Sequence, residues 1–197
     1  MAARTISEFA GKLVGGGARA NQFEVTLNFP SAVGTGVADA SFFVKSASLP
    51  GQAIDEIAVE FRGRTLYVPG DRTFEQWTTT VINDETFMIR NAMEQWMNKI
   101  NNIRSNIATP NMTNYVADLI VTQYGKAGAQ LKQHKLLGCW PVSISAIELS
   151  WDTRSEIETF DVTWRYEDFQ GTGGTKATPG DGSTAVDDAV GAAPTAT

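Results

Sequence analysis

The sequence predicts a mainly β protein: an antiparallel β-sandwich or barrel with one packed α-helix. Three observations predict it. Apolar and polar residues alternate with period 2 through most of residues 21–169. One segment within that body, and only one, changes to helical spacing. Nearly all of the chain's aromatic residues (ten Phe, five Trp, four Tyr) lie within residues 21–169. At 197 residues and 42% hydrophobic, the chain is long enough to bury a sizeable core.

The elements follow in order. Ile6, Phe9, Ala10 and Leu13 recur at helical spacing in an N-terminal arm (1–20), and Gly15-Gly16-Gly17 stops the pattern. Phe23, Val25, Leu27 and Phe29 share one face of a first strand, Gln22, Glu24, Thr26 and Asn28 the other, and Pro30 ends it. A second run from Phe42-Phe43-Val44 reaches Leu49, where Pro50-Gly51 turns the chain. A third places Ile57, Val59 and Phe61 inward and Glu56, Ala58 and Glu60 outward. It resumes over 64–68 and turns at Pro69-Gly70, before a strand from Phe74 to Ile82.

After Asn83-Asp84, an N-cap and first-turn acid, Ile89, Met93, Trp96, Ile100, Ile103 and Ile107 form one helical stripe ending before Pro110. Strands resume at 115–124, 130–137, 140–151 and 156–168. The last puts Phe160, Val162, Trp164 and Tyr166 on one face, and Thr159, Asp161, Thr163, Arg165 and Glu167 on the other. A phase slip from Val142 and Ile144 to Ile147, Leu149 and Trp151 predicts a β-bulge near Ser145. The body is taken as 21–169. The extension 170–197 is rich in Gly, Ala and Thr, and from Gly171 it has no aromatic residue and too little apolar surface to order itself.

Composition narrows the function. Sixteen Lys+Arg against 22 Asp+Glu leave a net charge of −6, of which −2 falls from Gly171 onward. That balance argues against a domain that grips nucleic acid, which needs concentrated cation. A single cysteine, Cys139, excludes an internal disulfide framework and Cys-based zinc clusters, and the lone histidine, His134, excludes His-rich metal sites. No secretory h-region or stretch of ~18 apolar residues occurs, so the expectation is a reducing cytoplasm or something assembled there.

No chemistry-bearing constellation emerges. Gly15-Gly16-Gly17 lacks P-loop spacing, and Gly125-Lys126-Ala127-Gly128 reads as a hairpin loop. The pairs Asp55/Glu56 and Glu156/Glu158 read as solvated or subunit-pairing carboxylates rather than an acid–base couple. His134, among Lys132, Gln133 and Lys135, reads as solvent-facing on an edge strand, and Cys139 as a small core residue. Trp77, Trp96, Trp151 and Trp164 fall on apolar faces and are expected in the core. No enzyme, cofactor or metal is expected.

Four co-linear blocks carry a resemblance across roughly 19–169. They are ARANQFEVTLNF (18–29), SASLPGQAIDEIAVEFRGRTLYV (46–68), PGDRTFEQWTTTVINDE (69–85) and LLGCWPVSISAIELSWDTRSEIETFDVTWRYEDF (136–169). They resemble the tail tube proteins of contractile-tailed bacteriophages. The extension, residues 30–40 and residues 101–114 match weakly or not at all.

The resemblance implies two packed antiparallel sheets with a helix, and hexameric rings stacked into a tube inside a contractile sheath. One sheet of each subunit would join its neighbours in a β-barrel around the lumen, while an extended hairpin and the N-terminal segment reach the adjacent ring. The implied partners are further copies of the chain, the tail sheath protein, and the baseplate and tail terminator proteins. The tape measure protein and genomic DNA would occupy the lumen transiently, with no stable nucleic-acid or membrane binding. The implied location is the virion tail, assembled in the host cytoplasm.

The residue patterns add candidates. Long strands with a polar second face need their edges covered, and a closed ring covers them. Glu56, Glu60, Gln76, Thr78, Thr80, Thr159, Asp161 and Thr163 are then lumen-lining candidates, with bulk solvent as the plain alternative. The hairpin Pro50–Asp71 is the expected inter-ring element, with Pro50, Gly51, Arg62, Arg64, Asp71 and Arg72 as contact candidates. A lumen that lets DNA slide should combine like charge with hydroxyl-rich walls, so a negative lumen potential is expected. The alternatives are the inner tube of a phage-like injection system or tailocin, and a soluble β-barrel ligand-binding module with a dry interior pocket.

Overall fold

The computed structural model describes residues 5–13, 17–31, 33, 38–152, 154 and 156–172. What was expected of the rest of the C-terminal extension lies outside these residues. Strands β1 (Phe23–Thr26), β6 (Ala117–Tyr124), β7 (Gln130–Ile144), β8 (Thr159–Arg165), β5 (Trp77–Ile82) and β2 (Val44–Ala47) run in that order across one sheet path, with β9 (Asp168–Thr172) also on β7. All pairings are antiparallel. The architecture is mainly β, as expected, with helices α1 (Ile6–Lys12) and α2 (Met88–Ile100).

Strand β7 holds the fold together. Its first part pairs with β6 and β9, and residues 140–144 pair with β8. The expected strands 130–137 and 140–151 are therefore one strand that passes between two sheet halves. Gly138, with φ +63°, sits at the transition. The halves enclose a core of Val25, Leu119, Leu136, Val81, Phe160 and Val162. Trp77, Trp164 and the α2 residues Met93 and Trp96 fill it further. The expected β8 face, Phe160 through Tyr166, is buried as read from the alternation.

Strands β3 (Gln52–Phe61) and β4 (Arg64–Phe74) form a separate two-stranded sheet. Here the sequence reading needs correction. Ile57, Val59 and Phe61 do not face inward: every residue of β3 is exposed, and among the described residues no further strand joins the two-stranded sheet. Pro69-Gly70 is not a turn either. β4 runs through it, and a register irregularity sets Gly70 against Asp55, where a Cβ would lie 3.0 Å from the Asp55 carbonyl oxygen. The actual turn is Arg62-Gly63, with φ +48° and +78°, a two-residue left-handed pair whose twist matches that of the strands. Strand β4 ends at Phe74 and β5 begins at Trp77, so 74–82 is not one strand. Phe42 and Phe43 close a 3-10 segment (Ala38–Phe43) before β2 begins.

The helix is also shorter than its stripe. Phe87, at φ +53°, is the N-cap without a side-chain bond, and Asp84 Oδ1 instead accepts from the Met88 N–H at 3.2 Å. Asn83 is buried at the end of β5, where its Nδ2 donates to Glu158 Oε2 at 3.0 Å. After Ile100 the asparagines compete with the helical backbone. Asn98 Oδ1 accepts from the Ile103 N–H, and Asn102 Oδ1 from the N–H groups of Arg104 and Ser105. Ile103 and Ile107 are consequently exposed. β6 begins at Ala117 rather than 115.

Around the expected bulge near Ser145, the register irregularity falls at Pro141–Ser143 and β7 stops at Ile144. Leu149 and Trp151 follow in a connection without strand structure. Trp151 is 99% exposed and not a core residue. His134 is not solvent-facing. It is 7% exposed because β7 lies between β6 and β9 rather than at an edge.

Candidate assembly surfaces

Two surfaces collect the candidate residues. The first is the outer face of β2, β5, β8 and the end of β7. Alternation buries Trp77, Thr79, Val81, Phe160, Val162 and Trp164, which leaves the intervening hydroxyls on the far face. Register lines those residues up across the strands. Thr80 stands opposite Ser46 on one side and Asp161 on the other, and Thr163 stands opposite Thr78 and Ser143. Thr80 Oγ1 donates to Asp161 Oδ1 at 2.7 Å, and the Asp161 N–H donates to Ser145 Oγ at 2.8 Å.

The structure thus brings Thr78, Thr80, Asp161 and Thr163 into one patch. Thr159 lies at its end opposite Ile82, and Gln76 is exposed just before β5. Glu56 and Glu60 are elsewhere, on the β3–β4 hairpin. Within the sheet the patch is hydroxyl-rich with one carboxylate, and Arg165 follows at the same phase of β8. Among the described residues, no strand pairs with the outer side of β2 or with the second side of residues 140–144.

The second surface is the hairpin. Its base is anchored to the body: Trp77 Nε1 donates to the Ser48 carbonyl at 2.6 Å, and Tyr166 Oη to the Gly51 carbonyl at 3.3 Å. Phe74 packs against Tyr166 and Phe169 at 5.9 and 5.7 Å between ring centroids. Pro50, Gly51, Asp71 and Arg72 lie at this base, where Arg72 Nη1 donates to Gln52 Oε1 at 2.9 Å. Arg62 and Arg64 lie at the tip, and the Arg62 guanidinium stands 5.2 Å over the ring of Phe61.

Sequence reasoning missed the apolar side of this hairpin. Ile57, Val59, Phe61, Leu66 and Val68 alternate on one face and are 41–67% exposed. The signal was visible as alternation and was assigned to a core. Helix α1 is similar: none of its residues is buried, and Ile6, Phe9 and Leu13 are exposed.

Among the described residues, no group of three His, Cys, Asp or Glu side chains could hold a metal. No described helix is long and apolar enough to cross a membrane. Cys139 is buried in the core, and burial pushes its thiol up to about 12. Burial, and then the Lys132 charge, hold the His134 imidazole below its ordinary pKa. A groove of about 850 Å³ runs between α2, the asparagine loop and Trp140. The interior that a ligand-binding module would keep open is filled by Trp77, Trp96 and Trp164.

Comparison with known proteins agrees with this geometry. A family model described as phage tail tube protein matches residues 18–172. Tail tube protein gp19 of Enterobacteria phage T4 is 33% identical over 147 residues, covering 74% of this chain and 86% of that protein. The tail tube protein of Serratia phage KSP90 is 31% identical over 166 residues, covering 82% and 94%. Among solved structures, a chain of the anti-feeding prophage baseplate superposes with a TM-score of 0.60 at 11% identity, over 79% of this chain and 95% of that one. A chain of the sheath–tube complex of an extracellular contractile injection system superposes at 0.56 and 16% identity, over 87% and 99%. These two likenesses concern the fold.

Proposed function

The chain belongs to the phage tail tube protein family, structural proteins of the virion tail and not enzymes, and on that premise we propose how it builds the tube. Six copies close a ring, and rings stack into the inner tube of a contractile tail, through which DNA is ejected. The observation that carries the ring is the sheet with two open edges. β2 of one copy adds to residues 140–144 of the next, so that backbone groups at both edges find partners and the sheets merge into one barrel.

Buried aromatics fix which face of that sheet turns to the body, and this supports the hydroxyl face as the bore. Thr78, Thr80, Thr159, Asp161, Thr163 and Gln76 line it in this reading. The hydroxyls and the carboxylate offer DNA no cation with which to displace its counterions, and Arg165 at the end of β8 is a lone cation beside them, so the strand slides. Glu56 and Glu60 carry negative charge on the hairpin, at the junction between rings. The hairpin, from Pro50 and Gly51 through Arg62 and Arg64 to Asp71 and Arg72, reaches the next ring. The arm 1–20 and the extension 170–197 flank the ring-forming body 21–169.

Sheath, baseplate and tail terminator proteins are the partners outside and at the ends of the tube, with the tape measure protein and DNA transiently inside. Support comes from the settings of structurally similar chains, which include a baseplate, a sheath–tube complex and a sheath/tube terminator. Electron microscopy of the purified full-length chain tests the proposal. Hollow tubes or rings with sixfold symmetry are expected, and a protein that stays monomeric as concentration rises refutes it.

A further inference from the structure

We propose that Phe42 of one copy seats in the groove between α2, the asparagine loop and residues 140–142 of the next copy in the same ring, as the apolar anchor of that joint. The inference rests on the edge pairing proposed above and names the side chain that holds it.

The 3-10 segment Ala38–Phe43 runs directly into the edge strand β2. Ala40 is buried and Phe43 packs against the core, so the segment is fixed to its own body. Phe42, between them, is 85% exposed. A single exposed apolar side chain needs no explanation by itself. Its place does, because it stands two residues before an edge with no partner strand among the described residues. An aromatic ring carried on a fixed backbone gives up little freedom on docking, which suits it to anchor an interface.

The groove measures about 850 Å³, room for a side chain together with the turn of backbone that bears it. Its apolar lining is Met97, Ile100, Ile103, Trp140 and Val142, and Ile103 is 90% exposed. Trp140 and Val142 belong to the part of β7 whose second side pairs with no strand among the described residues. The groove therefore borders the edge to which β2 of the next copy adds.

Strand direction fixes which ends meet. Residues 140–144, β8, β5 and β2 alternate in direction. In a ring of equally oriented copies, β2 thus runs antiparallel to the 140–144 segment it joins. Its start, Val44, falls toward Ile144, and its end, Ala47, toward Trp140. Phe42 then arrives near Ser145, whose carbonyl accepts from Arg90 Nη1 at 2.9 Å beside the start of α2. It enters the groove between α2 and Val142. Charge fits as well. Glu94 is the one charged side chain of the lining, and Lys45, the one charge on β2, is exposed and forms no ion pair among the described residues.

The joint needs such an anchor. β2 is four residues long, and pairing so short an edge covers far less than the ~1,200 Å² of a stable pairwise interface. Its backbone bonds replace bonds to water and add little net. Moving an aromatic ring out of water supplies what the edge lacks.

A photo-reactive p-benzoylphenylalanine in place of Phe42 tests the seat without assuming a register. Isotope-labelled subunits carrying it are mixed with unlabelled wild-type chains, assembled and irradiated. Cross-links between labelled and unlabelled chains are expected in tubes only, to peptides containing residues 91–106 or 140–142. Tubes whose cross-links fall elsewhere, or only within one chain, overturn the seat and leave the tube reading standing. Phe42→Ala is measured in parallel, whether or not the photo-reactive chain assembles. Its urea midpoint should match wild type, while the critical concentration for assembly rises about tenfold or more. An unchanged critical concentration overturns the seat, and so does a lowered midpoint, which would assign the ring to its own fold. A wild-type chain that forms neither rings nor tubes removes the tube reading, and the seat with it.

Discussion

Trp164 lies fully buried between Trp77 and Trp96, with ring centroids 6.5 and 5.5 Å away, and its indole N–H donates to Thr79 Oγ1 at 2.9 Å. The alternation of β8 made its burial legible. The partner was not legible: alternation sets Thr79 apart from Thr78 and Thr80, but only the register with β8 brings it to the Trp164 indole. Thr79→Val keeps the shape but leaves that N–H unpaired, and should destabilise the subunit by about 1–3 kcal/mol in urea unfolding. His134 gives a second prediction. Burial, with Lys132 adding, holds its folded pKa below the ordinary 6.5, so the unfolded chain binds the proton more readily. The stability this contributes is complete above about pH 6.5 and is lost as pH falls through the lower folded value. Melting temperatures at pH 8 and pH 5 should fall less for His134→Leu than for wild type. The polar neighbours Lys132, Gln133 and Lys135 concealed this burial, because it comes from β9 laid alongside: Gly171 stands opposite His134, and the Phe169 ring is 5.6 Å away.

At the scale of elements, β7 and the hairpin differ in what fixes them. β7 changes partners at Gly138, where φ is +63° and a Cβ would lie 3.0 Å from the Glu167 side chain. Gly138→Ala should cost about 1–2 kcal/mol for the left-handed backbone alone, read as a lower urea midpoint with an unchanged slope. The hairpin is fixed by its turn and its base, and its apolar face makes no core. Val59→Asp should therefore leave subunit stability within about 0.5 kcal/mol yet shorten or abolish tubes in micrographs. Loss of subunit stability on that substitution would mean the face is covered within the chain. Helix α2 shows the converse limit of periodicity. Its stripe continues to Ile107 in the sequence, but side-chain bonds from Asn98 and Asn102 end the helix at Ile100.

For the whole molecule, the net charge of −6 has a specific meaning once the sheet is folded. It is not spread evenly over the proposed bore, which within the sheet holds one carboxylate, Asp161, and one cation, Arg165, among hydroxyls; Glu56 and Glu60 are displaced to the hairpin. Asp161→Lys should give tubes of unchanged diameter that retain short double-stranded DNA at low salt and release it as salt rises. Wild-type tubes that retain DNA equally well would contradict a bore built for sliding.

The sequence by itself determined the fold class, the family, and which face of each strand is apolar. Period-2 alternation and the order of the blocks are properties of neighbouring residues in the chain. Only the tertiary structure decided what covers each apolar face. The stripe Ile57, Val59, Phe61 alternates as regularly as Phe160, Val162, Trp164, yet one is exposed and the other buried. Alternation reports that a face avoids water. Whether this chain or another copy shields it depends on which elements lie across it, and that is set by strand register and pairing between residues far apart in sequence.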